Sequence, residues 1–104
     1  MVQINWTYQA KDDLKNILDY ISHDSKHYAK LQEKQADKYY NTLIDNCKFI
    51  ADNPQIGKDY SNILNSLRGH KVEHHIIFYK QIDSKTIIIR ILHERMDMKN
   101  RIKE

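Results

Sequence analysis

The C-terminal half of the chain gathers side chains able to move a proton or hold a negative charge: Arg68, Lys71, His74, His75, Tyr79, Arg90, His93 and Arg95. His93 is the most pointed of them, because an imidazole with a pKa near about 6.5 suits general acid–base work at neutral pH. The same residue also suits a structural role, ending a strand with one ring nitrogen bonded to nearby backbone. His74 and His75 are neighbours in an extended run and so should point to opposite faces, which keeps them from serving one site. His70 and His74 would lie about 13 Å apart along such a strand, too far to share a metal ion. His23 and His27 would meet on one helix face, but Asp24-Ser25 interrupts that helix. With no short Cys/His finger pattern, neither a metal nor another cofactor is expected. Arg68 and Arg90 stand inside strands, where a charge faces solvent or a partner. They can grip a carboxylate bidentately or form salt bridges to Glu73 or Asp97. Cys47 falls on an apolar helix face and reads as a small core residue. The absence of a glycine-rich phosphate loop argues against an NTP-binding enzyme.

Positioning these groups requires a particular order of elements. Ile4 and Trp6 alternate with polar neighbours as a strand does. Thr7 can cap a helix whose early turns hold Asp12 and Asp13, where the dipole favours them. Ala10, Leu14, Ile17, Leu18 and Ile21 form one helical face, and the turn is expected over His23–His27. Ala29, Ala36, Tyr40, Leu43, Cys47 and Ile50 form a second face that Asn53-Pro54 ends. This puts Tyr40 on the core stripe and Tyr39 off it, where an exposed aromatic would hint at a protein interface. Two such helices with a short connection should pack as an antiparallel hairpin.

Residues 54–66 are loop-like. Leu67–Ile82 and Thr86–His93 are dominated by β-branched and aromatic residues, with Asp83-Ser84-Lys85 as a hairpin-length break and Gly69 as a bend or bulge. Glu94–Glu104 is a charged tail or short helix. The fold class is therefore α+β: an N-terminal strand, a helix hairpin, then a three-stranded antiparallel meander, with the helices on one face.

Composition sets the limits. The chain has 104 residues, 40% apolar and 30% charged, with two glycines and one proline. That is one small domain, 1–104, with a thin core, and it excludes disordered or collagen-like classes. No basic-apolar leader opens the chain, no apolar run is long enough to span a bilayer, and a lone cysteine suits a reducing compartment, so a cytoplasmic protein is expected. The net charge is +3, unevenly placed: residues 1–53 carry seven Lys/Arg against eight Asp/Glu, and residues 54–104 carry ten against six. A basic C-terminal half favours an acidic partner, either nucleic acid or an acidic protein segment.

Read in order, particular residues resemble the ParE/RelE superfamily of toxins from type II toxin–antitoxin modules. They are Trp6, Ala10 and Asp13-Leu14, then Ile17 and Tyr20-Ile21, then Asn53-Pro54 and Gly57. Leu67-Arg68, His75-Ile76-Ile77-Phe78-Tyr79 and Ile89-Arg90-Ile91-Leu92-His93-Glu94-Arg95-Met96-Asp97 follow. A strand ending Arg-Ile-Leu-His with Met-Asp soon after looks more like ParE than RelE. The resemblance covers nearly the whole chain and implies a growth-arresting toxin neutralised by the acidic C-terminal segment of a cognate antitoxin. It also implies DNA gyrase as the target, and a homodimer or a toxin–antitoxin hetero-oligomer. On this view Arg68, Arg90, Arg95, Lys99 and Arg101 would meet the antitoxin or the target.

The RelE alternative implies a ribosome-dependent, metal-independent mRNA endoribonuclease. Such an enzyme needs a base for the 2′-hydroxyl, a donor for the leaving oxygen and cations for the phosphorane charge. His93, Arg90, Arg68 and Tyr79 would be the candidates. The chain departs from the RelE pattern at Ile76, where an arginine is expected. It departs again in the tail, where Met96, Met98 and Asn100 stand in place of a catalytic Tyr or His.

Overall fold

The computed structural model describes residues 3–23 and 29–103. Strand β1 (Gln3–Trp6) leads into helices α1 (Tyr8–His23) and α2 (Ala29–Asp52). Strands β2 (Lys58–Asp59), β3 (Arg68–Val72), β4 (His75–Ile82) and β5 (Lys85–His93) follow, and the short helix α3 (Met98–Lys103) comes last. The five strands form one sheet in the order β1-β5-β4-β3-β2.

A three-stranded meander is present as β3-β4-β5, but its first break lies at the Glu73–His74 turn rather than at Gly69; in its two tight turns Glu73 and Asp83 take positive φ values of 55° and 56°. Two features extend it. Strand β1 pairs with β5 in parallel, Gln3 opposite Lys85 through Trp6 opposite Ile88. The segment read as loop contains β2, with Lys58 opposite Gly69 and Asp59 opposite Arg68. The turn expected over His23–His27, with the His23/His27 pair, falls largely outside the described residues.

The sheet buries apolar side chains on both faces. On one face Ile77, Tyr79, Ile88 and Ile91 pack with Ala10 of α1 and Leu43, Cys47 and Ile50 of α2. On the other, Leu67, Ile76, Phe78 and Leu92 pack with Ile102 of α3, and Tyr60, Ile63 and Leu64 lie against them. The helices are therefore not confined to one face: α1 and α2 cover the first, and α3 helps to close the second. Strand alternation accounts for the division, since Ile76 and Phe78 point one way and Ile77 and Tyr79 the other.

The bulge expected at Gly69 is elsewhere. Phe78 pairs with Arg90 and Tyr79 with Ile88, so the irregularity opposes β4 at Phe78/Tyr79 and leaves Ile89 as the extra residue of β5. Gly69 is a regular β3 residue, required because a Cβ there would come within 2.7 Å of the Tyr60 ring and 2.9 Å of Ile76 Cγ2. The two tyrosines of α2 also exchange places. Tyr39 is half-buried against the core, and Tyr40 is 41% exposed.

Thr7 joins the layers. Its hydroxyl accepts the Ala10 N–H at 3.0 Å, capping α1, and donates to the Ile89 carbonyl at 2.7 Å. Its backbone N–H donates to the Ile88 carbonyl at 3.0 Å. The start of α1 thereby continues the line of β1 along β5.

Candidate functional site

Where β1 ends, the edge of β5 passes to α1, and a cleft of about 720 Å³ opens between α1, α2 and the ends of β4 and β5. Ile17, Tyr20 and Ile21 line one wall, Ile91, Leu92 and Met96 another, and His74, His75 and His93 lie among them. His75 and His93 are cross-strand partners with ring centroids 5.4 Å apart. His74 stacks on His93 at 6.2 Å. The expectation that His74 and His75 serve opposite faces is therefore corrected. His74 belongs to the Glu73–His74 turn rather than to β4, so strand alternation does not govern it and both rings reach His93.

Each imidazole uses Nδ1 within the protein. His93 Nδ1 accepts the Arg95 backbone N–H at 3.1 Å, so the ring proton is on Nε2. This is the structural role anticipated for a histidine ending the last strand. His74 Nδ1 lies 3.1 Å from Glu94 Oε1, and since a carboxylate can only accept, Nδ1 carries a proton there. His75 Nδ1 is 2.7 Å from the Tyr39 hydroxyl, which also lies 3.2 Å from the Val72 carbonyl.

The electrostatics follow from these contacts. Bonds from Lys71, at 2.9 Å, and from His74 hold the Glu94 carboxyl down at about 2. Burial, with His93 and His74 close by, pushes the His75 imidazole below its ordinary value. Burial and the nearby Glu73 push the Tyr39 hydroxyl up to about 12. Nothing in the local sequence marked Tyr39 or Tyr20 as belonging with the histidines, because only packing of the hairpin on the sheet brings them together, whereas Glu94 meets His74 through the pairing of β4 with β5.

Arg90 is held at the floor of the cleft. Its Nε and Nη2 donate to Asp13 Oδ2 and Oδ1 at 2.7 and 3.0 Å, and Nη1 donates to the Arg101 carbonyl at 2.8 Å. The salt-bridge partner is thus Asp13 of α1, neither Glu73 nor Asp97. Asp13 also accepts the Ile91 N–H at 3.0 Å, taking the place of the missing neighbour strand.

Arg68 and Tyr79 lie at the other end of the sheet. Arg68 donates from Nη1 to the Gly57 carbonyl at 2.8 Å and from Nη2 to Gln55 Oε1 at 3.0 Å; it too meets neither Glu73 nor Asp97. Tyr79 is fully buried, accepts the Gly57 N–H at 2.9 Å and donates to the Pro54 carbonyl at 2.8 Å. Tyr79 is four residues along β4 from His75, about 13 Å. The candidates His93, Arg90, Arg68 and Tyr79 are thus divided between the cleft and the Pro54–Gly57 loop. Arg95, Lys99 and Arg101 are exposed, and their segment is anchored rather than frayed, with Ile102 8% exposed in the second core cluster.

Among the described residues no group of His, Cys, Asp and Glu is placed to hold a metal ion. None of the helices there is long and apolar enough to cross a membrane. Cys47 is buried, and burial pushes its thiol up to about 12, which suits packing rather than nucleophilic chemistry.

Residues 4–98 match the family model described as ParE toxin of type II toxin–antitoxin system, parDE. The chain belongs to the ParE toxin family. It is 28% identical over 97 residues to Toxin ParE of Escherichia coli, covering 92% of this chain and 88% of that one. Its fold is similar to a chain of the chromosomal ParDE TA system from P. aeruginosa, with a TM-score of 0.67 and 21% identity, covering 89% and 96% of the two chains. The matched residues take in β1 from Ile4, both long helices, the other four strands and the three histidines of the cleft, and stop at Met98, the first residue of α3.

Proposed function

We propose that this ParE-family toxin acts by binding, with DNA gyrase as its target, and that a cognate antitoxin neutralises it. The observation that carries the reading is the match to the ParE family over residues 4–98. The geometry supports a binding poison over an RNA-cleaving enzyme. Of the groups that would supply acid–base and phosphorane chemistry, Arg68 and Tyr79 are committed to the Pro54–Gly57 loop and Arg90 to Asp13. His93 stands apart from Arg68 and Tyr79, whereas a phosphodiester cleavage site needs base, acid and cation within reach of one phosphate.

The test sets a gyrase supercoiling and cleavage-complex assay beside an assay of mRNA cleavage on translating ribosomes. Purified toxin should block supercoiling and leave mRNA intact. Ribosome-dependent cleavage without gyrase inhibition overturns the reading. His93→Ala should retain growth arrest when induced in cells, whereas a ribonuclease relying on that imidazole would lose it. Co-expression of a short acidic protein encoded beside the toxin should restore growth.

A further inference from the structure

The sheet face turned away from α1 and α2 carries one sign of charge. Strand register places Lys58 of β2, Lys71 of β3, Lys80 of β4, and Lys85 and Arg90 of β5 on it, in line with Ile76, Phe78 and Leu92. The five strands hold a single carboxylate, Asp59, and alternation puts that residue on the opposite face with Arg68 and Tyr79. From outside the strands, Glu94 takes Lys71 at 2.9 Å and Asp13 takes Arg90. Among the described residues, Lys58, Lys80 and Lys85 form no ion pair. Segment 60–64 and α3 pack over the middle of this face and leave its β4–β5 end open, where Ile82 is 49% exposed opposite Lys85.

Ordinary solvation does not account for this arrangement. The outer surfaces of the helices interleave both signs, as Lys11, Asp12, Lys15 and Asp19 do on α1 and Asp37, Lys38, Asp45 and Lys48 on α2. Nor do the lysines of β4 and β5 guard a sheet edge, since both strands are interior to the order β1-β5-β4-β3-β2.

We propose that this lysine face binds the phosphate backbone of duplex DNA without reading its sequence. From Lys85 to Lys58 the path crosses β5, β4, β3 and β2 and shifts from Ile82 to Phe78 along β4, a span of about 20 Å. That length matches about six base pairs of duplex at about 3.4 Å each. The exposed rings Tyr8, Tyr20, Tyr40 and Phe49 all belong to α1 and α2, and Tyr60 packs edge-on against Phe78 at 5.1 Å. The face therefore offers no platform for unstacked bases, which favours a duplex over a single strand. Ile56 beside Lys58 and Ile82 at the β4–β5 turn stand at opposite ends, so the central apolar anchor of a protein interface is missing. The inference goes beyond the gyrase reading and does not depend on it. With gyrase as the target, the same contact would add to the toxin's hold on the enzyme's DNA.

The experiment follows fluorescence anisotropy of a labelled duplex of about 30 base pairs, titrated with purified toxin between about 50 and 200 mM NaCl. Three unpaired lysines on phosphates predict a log–log salt slope of about −2.7, a weakening of about 40-fold over that range. Lys80→Gln/Lys85→Gln should bring the slope to about −0.9, and Lys58→Gln alone should reduce it by about one. Lys11→Gln/Lys38→Gln removes the same net charge from exposed positions on the helical side and should bind as wild type. No binding at about 50 mM salt, or equal losses in the two double variants, overturns the assignment and leaves the gyrase reading standing. Tighter binding of a single strand of equal length, or of polyglutamate, at the same salt overturns duplex DNA as the partner.

Discussion

Asp13→Ala should be among the most damaging single changes in the protein, through loss of a buried ion pair that joins α1, β5 and α3. The Asp13 and Arg90 side chains are 12% and 11% exposed, and the carboxylate accepts from Arg90 Nε, Arg90 Nη2 and the Ile91 N–H. Removing one partner of such a pair leaves a nearly buried guanidinium without its counter-ion, at a cost of about 3–5 kcal/mol. With about 2.1 cal/mol/K of unfolding entropy per residue over 104 residues, that loss lowers Tm by about 14–23 °C. Against a total stability of about 5–15 kcal/mol for a domain, the variant should sit near its folding threshold. Urea unfolding followed by circular dichroism measures the difference. The double variant Asp13→Leu/Arg90→Met removes both charges and should recover much of the loss. It should stop short of wild type by about 1–3 kcal/mol, because the Ile91 N–H still lacks its acceptor. A single variant that loses less than about 1 kcal/mol, or a double variant showing the sum of two independent losses, would refute the coupling.

Other outcomes follow from the same contacts. Tyr79→Phe should lose about 1–3 kcal/mol in urea unfolding, since the Gly57 N–H and Pro54 carbonyl both lose their partner at a fully buried hydroxyl; a loss below about 0.5 kcal/mol would mean the loop is held by other bonds. Gly57→Ala should cost about 1–3 kcal/mol, because its Cβ would stand 2.4 Å from the Tyr79 hydroxyl; an unchanged midpoint would show that the loop yields freely. NMR titration of Glu94 should find its midpoint near 2, and Lys71→Met should raise it. The stability from this depressed carboxyl is present above its unfolded value and is lost as pH falls toward 2, a window that acid unfolding of the Lys71 variant should narrow. His75 is also depressed, so its neutral ring contributes stability above the unfolded imidazole value of about 6.5, lost as pH falls through the folded value. His75→Gln should flatten that part of the stability–pH curve.

The local elements were legible because each carries its own physical signal. Thr7 announced a cap, the apolar spacing of α1 and α2 a hairpin, and the β-branched runs after Leu67 a meander. What local spacing misplaced shows where such signals stop. A single stripe could not decide between Tyr39 and Tyr40, because the choice depends on which side of α2 meets the β3–β4 turn. Gly69 looked like a bend, yet its glycine is required by the Tyr60 ring packing over it from outside the strand.

The sequence by itself determined a small α+β chain with a basic C-terminal half, and the run from Ile89 to Asp97 pointed to its family. Tertiary structure decided which charged residues have partners. Arg90 meets Asp13 across 77 residues of chain, and Arg68 turns to the Pro54–Gly57 loop. It also made a site of three histidines that strand alternation would have separated. A turn residue is released from the pleat, so His74 stacks on His93 beside His75. Spacing along a chain reports periodicity within one element, whereas a site made where a turn, a strand end and two helices meet exists only once they have packed.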